Sequence, residues 1–422
     1  MRLPWVALAL ATTVHGCTDF LLNTTSNQVV SARTMDFFID LASIVEIVPR
    51  QTLVQEPPVI DCPSCPDYGW RTIYGFVGLN TFGMNVAADG LNERGLSAAY
   101  LYLEGSQYPT PNTTDDTRPI VSSIVTYILG TFASVDDVKA GLAHVQLAQM
   151  NVATAGQNGF PLHVSIHDAQ AKSLVLEFLD GRVKMYDNPR GVLTNAPPFE
   201  VQLALMAQHN NSADDETFSD GFTPIERFQR VSRLNRHADA HFQPNTSYST
   251  ASPDQAAVAA ALHIINAVTI PTPYMEDGSA TQYTLVRDHA NRRLLFHSNE
   301  NQVLKSVDFT QIEFGNLATR KALSVNYGDW HVDVTAAALR STVHSRDLPP
   351  RSIVEAMMHG RGPPGSDVQF HEQKLELLSS AGSNSFWMGM VGGMMGAAVV
   401  VALATVHAHH RHRYDDEMMP LV

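Results

Sequence analysis

The stretch Cys17-Thr18-Asp19-Phe20-Leu21-Leu22-Asn23-Thr24-Thr25-Ser26-Asn27-Gln28-Val29-Val30-Ser31-Ala32-Arg33 decides how the chain is read. Two runs fit for strands, Phe20–Leu22 and Gln28–Arg33, flank a segment of turn-forming residues, Asn23–Asn27. That pattern predicts a β-hairpin. Immediately upstream, Met1–Gly16 carries Arg2, an apolar run from Leu3 to Ala11, and then Thr12-Thr13-Val14-His15-Gly16. A short positive start, a short apolar core and small residues before a cut site read as a secretory signal peptide. The bland alternative is a buried N-terminal strand or helix. Cleavage after Gly16 would make Cys17 the first residue of the mature chain and start the hairpin there.

A cysteine in first position has its own chemistry. Its thiol and its α-amine, with reference pKa values of about 8.5 and about 7.7–8.0, sit a few ångströms apart on one residue. The amine can take the thiol proton near neutral pH, so no separate histidine is needed. Covalent proximity supplies the orientation. Cys62-Pro63-Ser64-Cys65 is a close pair that could join in an oxidising compartment and leave Cys17 free. Pairing of Cys17 with one of them stays open, because spacing does not fix connectivity. Taken alone, Cys17 also reads as an ordinary buried cysteine. Val14-His15-Gly16-Cys17 faintly resembles a lipid-attachment site, with His15 a poor fit.

Further outward, composition bounds the class. The 422 residues suit two or three ordinary domains, or one large domain with appendages. Hydrophobic residues are 44% and charged residues 17%, enough apolar material to exclude wholesale disorder. The net charge of −14 argues against a general nucleic-acid binder. Three cysteines exclude a disulfide-dense miniprotein and a four-cysteine zinc module.

The C-terminal end points to a membrane. Phe386–Val406 is a run of 21 residues without a charge, long enough to span a bilayer as a helix. Gly392 and Gly396 have the spacing of close helix pairing, and Trp387 stands where an interfacial anchor would. Arg411 and Arg413 follow within the histidine-rich flank, which favours a cytosolic C-terminus and a type I topology. Glu417–Val422 resembles an acidic dileucine-type sorting signal. Sequons at Asn23, Asn112, Asn210 and Asn245 fit the same secretory reading. The expected organisation is residues 1–16 signal peptide, 17–345 catalytic body, 346–385 stalk, 386–406 transmembrane helix and 407–422 cytosolic tail.

Within the body, Ile73–Gly78, Leu96–Leu103, Leu162–His167 and Leu174–Phe178 read as strands. Asp180-Gly181 reads as a hairpin turn into Arg182–Tyr186, and Gln282–Val286 with Leu294–Ser298 as a late hairpin. Helices are expected over Ile120–Leu129, from Ser134 to near Val145, and over Ala256–Val268. Strands and helices come in blocks, which argues for antiparallel sheets with helices packed outside them.

Motifs in order and spacing then carry a resemblance. Cys17-Thr18-Asp19-Phe20, Ser31–Asp36, Ala88-Asp89-Gly90-Leu91-Asn92-Glu93-Arg94-Gly95-Leu96, Tyr186-Asp187-Asn188-Pro189, Val192–Pro197, Glu226–Arg230 and Tyr283–Phe296 together resemble the choloylglycine hydrolase and penicillin V acylase family. The resemblance implies an α+β, four-layer αββα sandwich of the N-terminal nucleophile hydrolase type, cleaving linear non-peptide amides without a cofactor. It implies roles by matching position. Cys17 would be the nucleophile and its amine the base. Arg33 would stand near the thiol, and Asp36 would hold the amine. Asn195 would donate to the oxyanion, and Arg227 would complete the charged network. The backbone N–H of Tyr102 would be a second oxyanion donor. Tyr102 stands where many bile-salt hydrolases carry asparagine and the penicillin-acylase branch carries tyrosine. A homo-oligomer also follows from the resemblance. The substrate expected is a small N-acyl amide, lipid-like given the membrane location. Two alternatives are an inactive glycoprotein that keeps the fold, and an enzyme like acid ceramidase or the N-acylethanolamine hydrolases.

Overall fold

The structure, a computed structural model, describes residues 16–22, 28–60, 62–152, 159–209, 221–241, 252–272 and 278–340. The expected signal peptide up to residue 15, the stalk, the span, the tail and the sequons at Asn23, Asn210 and Asn245 lie outside the described residues. Asn112 is described and exposed. Among the described residues, no helix is long and apolar enough to cross a membrane.

In chain order the strands are β1 (Thr18–Leu21), β2 (Val30–Phe37), β3 (Ile44–Val48), β4 (Leu53–Gln55), β5 (Gly69–Arg71), β6 (Phe76–Asn80), β7 (Ala87–Asn92), β8 (Ser97–Tyr102), β9 (Ile120–Val121), β10 (Gln146–Leu147), β11 (Leu162–His167), β12 (Ser173–Leu179), β13 (Arg182–Asp187), β14 (Val192–Leu193), β15 (Ala280–Asp288), β16 (Arg293–Ser298), β17 (Lys305–Asp308) and β18 (Lys321–Ser324). The helices are α1 (Ile124–Thr131), α2 (Val135–Gly141), α3 (Phe199–His209), α4 (Pro224–His241), α5 (Pro253–Asn266) and α6 (Thr335–Arg340). Two compact units are distinguished, one ending at Val332 and one beginning at Asp333. The second contributes only α6 to the described elements.

The first unit holds two large sheets. One has the order β14-β1-β2-β15-β16-β17, the other β13-β12-β11-β8-β7-β6-β3-β18. Every pairing within them is antiparallel. Helix α1 packs on β7 and β8; α4 and α5 pack on β1, β2 and β15. The layers therefore run helix, sheet, sheet, helix, as the strand and helix blocks predict.

Side-chain alternation sets what lies between the sheets. In β11, Val164 and Ile166 join the apolar cluster under α1 and α2, so His163, Ser165 and His167 face the other way. In β2, Arg33 points toward β7, where it meets Asp89. Asp36 lies on the opposite face, where Thr34 also sits.

The β1–β2 hairpin is present, pairing Asp19 with Arg33 and Thr18 with Thr34. The turn at Asp180-Gly181 has both residues at positive φ, 52° and 68°, as a two-residue hairpin needs. Helix α2 begins at Ser134, whose hydroxyl accepts from Asp137 N at 3.2 Å. It passes at Leu142–His144 into a 3₁₀ turn, so the α-helix ends before Val145. The helix expected from Ile120 is corrected: Ile120 and Val121 form β9, parallel to β10. The cause is Glu56. Its carboxylate accepts from Ser122 N at 2.7 Å and Ser123 N at 2.8 Å, so the helix starts after Ser123. The strand expected from Ile73 begins at Phe76, because Ile73 N and Tyr74 N donate to Gly130 O instead of to a ladder. Helices α3 and α4 were not anticipated as elements. Cys62 and Cys65 form a disulfide, and Cys17 is free.

Candidate active site

Cys17 heads β1 and is buried. Its Sγ lies 3.5 Å from Arg33 Nη2, 3.8 Å from Met35 Sδ and 3.9 Å from Asp36 O. Burial pushes the thiol up and the Arg33 charge pulls it back toward ionisation. Gly16 is still attached, and Cys17 N donates to Asn195 Oδ1 at 2.9 Å. A Cβ on Gly16 would stand 2.7 Å from Arg227 Nη2 and 3.4 Å from Asp36 Oδ2. The backbone of the junction is thus pressed against the charged network.

All six residues expected from the sequence meet here. Asp36 accepts from Thr281 Oγ1 at 2.5 Å and from Thr34 Oγ1 at 3.2 Å. Burial pushes its carboxyl up to about 6, with Arg227 opposing. Arg227, from α4, donates to Cys17 O, Thr18 Oγ1 and Asn195 Oδ1, each at 2.7 Å. Asn195 Nδ2 donates to Tyr102 O at 2.7 Å. Tyr102 therefore enters through its backbone.

Asn195 is fixed by its surroundings. His163 Nε2 meets Thr194 O at 2.9 Å, and His163 Nδ1 lies 3.1 Å from Glu177 Oε1. The carbonyl can only accept, so Nε2 carries the proton there. Gln202, on α3, donates to Asn195 O and, at 2.8 Å, to Pro197 O.

A pocket opens over Cys17. Phe37, Phe82, Phe160, Met84, Met150 and Leu41 form much of its wall, and among the described residues Arg33 is the sole charged one lining it. Phe160 stacks on Phe82 at 6.4 Å and meets Phe37 edge-on at 5.9 Å. Phe82 holds φ at 56°, a strained conformation for a bulky side chain that places its ring on this wall. The lining suits an apolar group, with charge reserved for the thiol.

The residues just ahead of Cys62 brace one wall residue, Met150. Ile60 N donates to Gln149 O at 3.0 Å, and Val59 bridges to Met150. Several buried ionisable residues lay outside the site expected from the sequence: Asp19, Asp89, His167 and Arg287. Their signal was a polar residue recurring on one face of an apolar strand, as in Leu162-His163-Val164-Ser165-Ile166-His167.

Fold and site together define a class: an α+β amidohydrolase of the N-terminal nucleophile type. Comparison with known proteins narrows it. Residues 17–322 match the profile of the linear amide C–N hydrolases, choloylglycine hydrolase family. Penicillin V acylase from Pectobacterium atrosepticum is 28% identical over 327 residues, covering 73% of this chain and 85% of the relative. A bile salt hydrolase/transferase from Clostridium perfringens is 25% identical over 345 residues, covering 74% and 99%. The structure of penicillin V acylase from Agrobacterium tumefaciens superposes with a TM-score of 0.61 at 26% identity, covering 73% of this chain and 91% of that one. The chain belongs to the choloylglycine hydrolase family of linear amide C–N hydrolases.

Proposed function

We propose that this chain hydrolyses N-acyl amides whose acyl part is apolar, with Cys17 as nucleophile. One observation carries the reading: the Cys17 thiol, beside Arg33, opens into a pocket walled by aromatic and aliphatic side chains. Once the Gly16–Cys17 bond is cut, the α-amine takes the thiol proton. The thiolate attacks the amide carbon, and the oxyanion takes a hydrogen bond from Asn195 Nδ2. That nitrogen carries two hydrogens, one of them donated to Tyr102 O. The N–H of Tyr102 is the second donor. The α-ammonium protonates the departing amine and a thioester remains. Water, losing its proton to the α-amine, then releases the acid and the thiol. Asn195 Oδ1 accepts from the Cys17 nitrogen, where the sequence led us to expect Asp36, and Arg227 holds the strand end through Cys17 O and Thr18 Oγ1.

We further propose a type I membrane protein, matured after Gly16 and held by residues 386–406. That location favours lipid-like substrates. In the test, mature chain isolated from membranes is offered phenoxyacetyl, bile-acid and long-chain fatty amides, beside Cys17→Ala. The expected result is preference for the fatty amides and no turnover by a folded Cys17→Ala. Equal turnover of polar and long-chain amides would overturn the acyl assignment, and an active Cys17→Ala would overturn the mechanism. A chain ending at residue 345 that still requires detergent for release would overturn the anchor.

A further inference from the structure

Between the two sheets a buried chain of charges runs on from Arg33. Arg33 Nη1 donates to Asp89 Oδ2 at 2.8 Å. Arg287 Nε donates to Asp89 Oδ1 at 2.9 Å, and its Nη2 also reaches Asp89 Oδ2. On its far side, Arg287 Nη1 donates to Asp19 Oδ2 at 2.9 Å and to Ser31 Oγ at 3.2 Å. His167 Nε2 lies 2.6 Å from Asp19 Oδ1. The side chains of Arg33, Asp89, Arg287 and Asp19 are each 0% exposed. Buried ions of this kind cost folding energy unless each is paired.

The pairing has an electrical consequence for the thiol. A carboxylate in contact with a guanidinium cancels much of its field at a third point. If Asp89 served Arg33 alone, Arg33 would offer little net charge to Cys17 Sγ, 3.5 Å away. Here Arg287 engages both oxygens of Asp89, and Asp19 balances Arg287. We infer that Arg287 is a positioning residue: by sharing Asp89 it leaves Arg33 both oriented and electrically available to stabilise the Cys17 thiolate. Asp89 positions Arg33 and moderates its charge.

Other titratable groups face these two centres. Around Cys17 they are its own amine, Asp36 on β2, Tyr283 on β15 and Arg227 on α4. Around Arg287 they are Asp89, Asp19, Arg33, Tyr283 and His289, with His167 behind Asp19. The double variant below leaves all but Arg287 and Asp19 in place.

The inference rests on Cys17 being the nucleophile, yet its test needs no amide substrate. Cys17 is the single thiol outside the disulfide. Its alkylation by iodoacetamide is followed on the mature full chain from pH 5 to 9, with circular dichroism reporting the fold. Arg287→Leu with Asp19→Asn removes one cation and one anion. It should move the midpoint of alkylation up by about one pH unit, about tenfold slower on the acid side. Asp89→Asn keeps the shape and one acceptor oxygen, and should move the midpoint down. A merely structural role would slow both variants without moving the midpoint. Unmoved midpoints, shifts in one common direction, or failure of both variants to fold would each overturn the inference. If the double variant alone does not fold, Asp89→Asn decides by the sign of its shift. A wild type that shows this pattern but turns over no amide would sink the amidase reading and leave this inference standing.

Discussion

Asn195 makes contact with three other members of the site through one side chain. Its Oδ1 accepts from Cys17 N and Arg227, and its Nδ2 donates to Tyr102 O. On the proposed mechanism Asn195→Ala removes an oxyanion donor and takes one acceptor from Cys17 N and Arg227, so kcat/KM should fall by about 10²–10³-fold. Steady-state kinetics on the best amide, with circular dichroism reporting the fold, is the check. At this scale the sequence marked Cys17 by its place after a cleavable leader, and the other residues only through motif order. Asn195 and Arg227 lie far from Cys17, Arg33 and Asp36 in the chain, and nothing local marks Arg33, Asp36, Asn195 or Arg227 as catalytic. Asp89 and Arg287 escaped because a charged residue in a strand looks the same whether it faces water or a second sheet. Their pairing joins two sheets across 198 positions of sequence, with Arg287 registered against Ser31 in one and Asp89 against Ala99 in the other.

Elements were most legible where their causes are local. The β1–β2 and β12–β13 hairpins follow from alternation and turn residues within a dozen positions. The start of α1 was misread because its cause is remote. Glu56 accepts from Ser122 N, Ser123 N, Ser123 Oγ and Trp70 Nε1, at 2.7 to 2.8 Å, and so fixes where the helix begins. No window around Ile120 contains that information. Glu56→Ala would leave these donors, largely buried, without their acceptor, and should cost about 2–4 kcal/mol. The midpoint of urea unfolding reads this loss, and Glu56→Gln, which keeps one acceptor oxygen, should lose less. Because α1 packs on β7 and β8, which carry Asp89 and Tyr102, the Ala variant should also lower kcat. Helix α4, Pro-Ile-Glu-Arg-Phe-Gln-Arg-Val-Ser-Arg-Leu-Asn-Arg at its start, hides its apolar stripe among arginines. Arg227 and Phe228 are both fully buried there, so polarity alone gives the wrong face.

At the scale of the whole molecule, the sheets are joined by polar groups whose protonation the fold dictates. His289 donates through Nδ1 to Gly95 O, and its Nε2 lies 2.8 Å from Ser31 Oγ, whose hydroxyl can donate to a neutral ring. Burial first, with His167 and Arg287 adding repulsion, holds its pKa down to about 3. In the unfolded chain it titrates near 6.5. As pH falls below that value the unfolded state binds the proton and the folded state does not, so stability is lost. From pH 6.5 to 4.5 this amounts to about 2 kcal/mol. Asp36 acts with the opposite sign. Its raised folded pKa, about 6, takes up a proton first and adds stability on acidification. The difference between wild type and His289→Gln cancels that contribution. Urea unfolding at pH 6.5 and 4.5 should show a smaller acid loss in the variant; an equal loss would contradict the neutral, buried histidine.

The close approach of Gly16 to Arg227 has a consequence in time. While residue 16 is joined to Cys17, the nitrogen beside the thiol is a peptide nitrogen. Its lone pair is delocalised into the carbonyl, and it cannot accept a proton. On the proposed mechanism a chain that keeps the junction is latent: folded around its thiol, with Arg33 in place and no base to arm it. A single hydrolytic cut would start the clock, and the same cut would open the space beside Gly16, where Arg227 and Asp36 stand close.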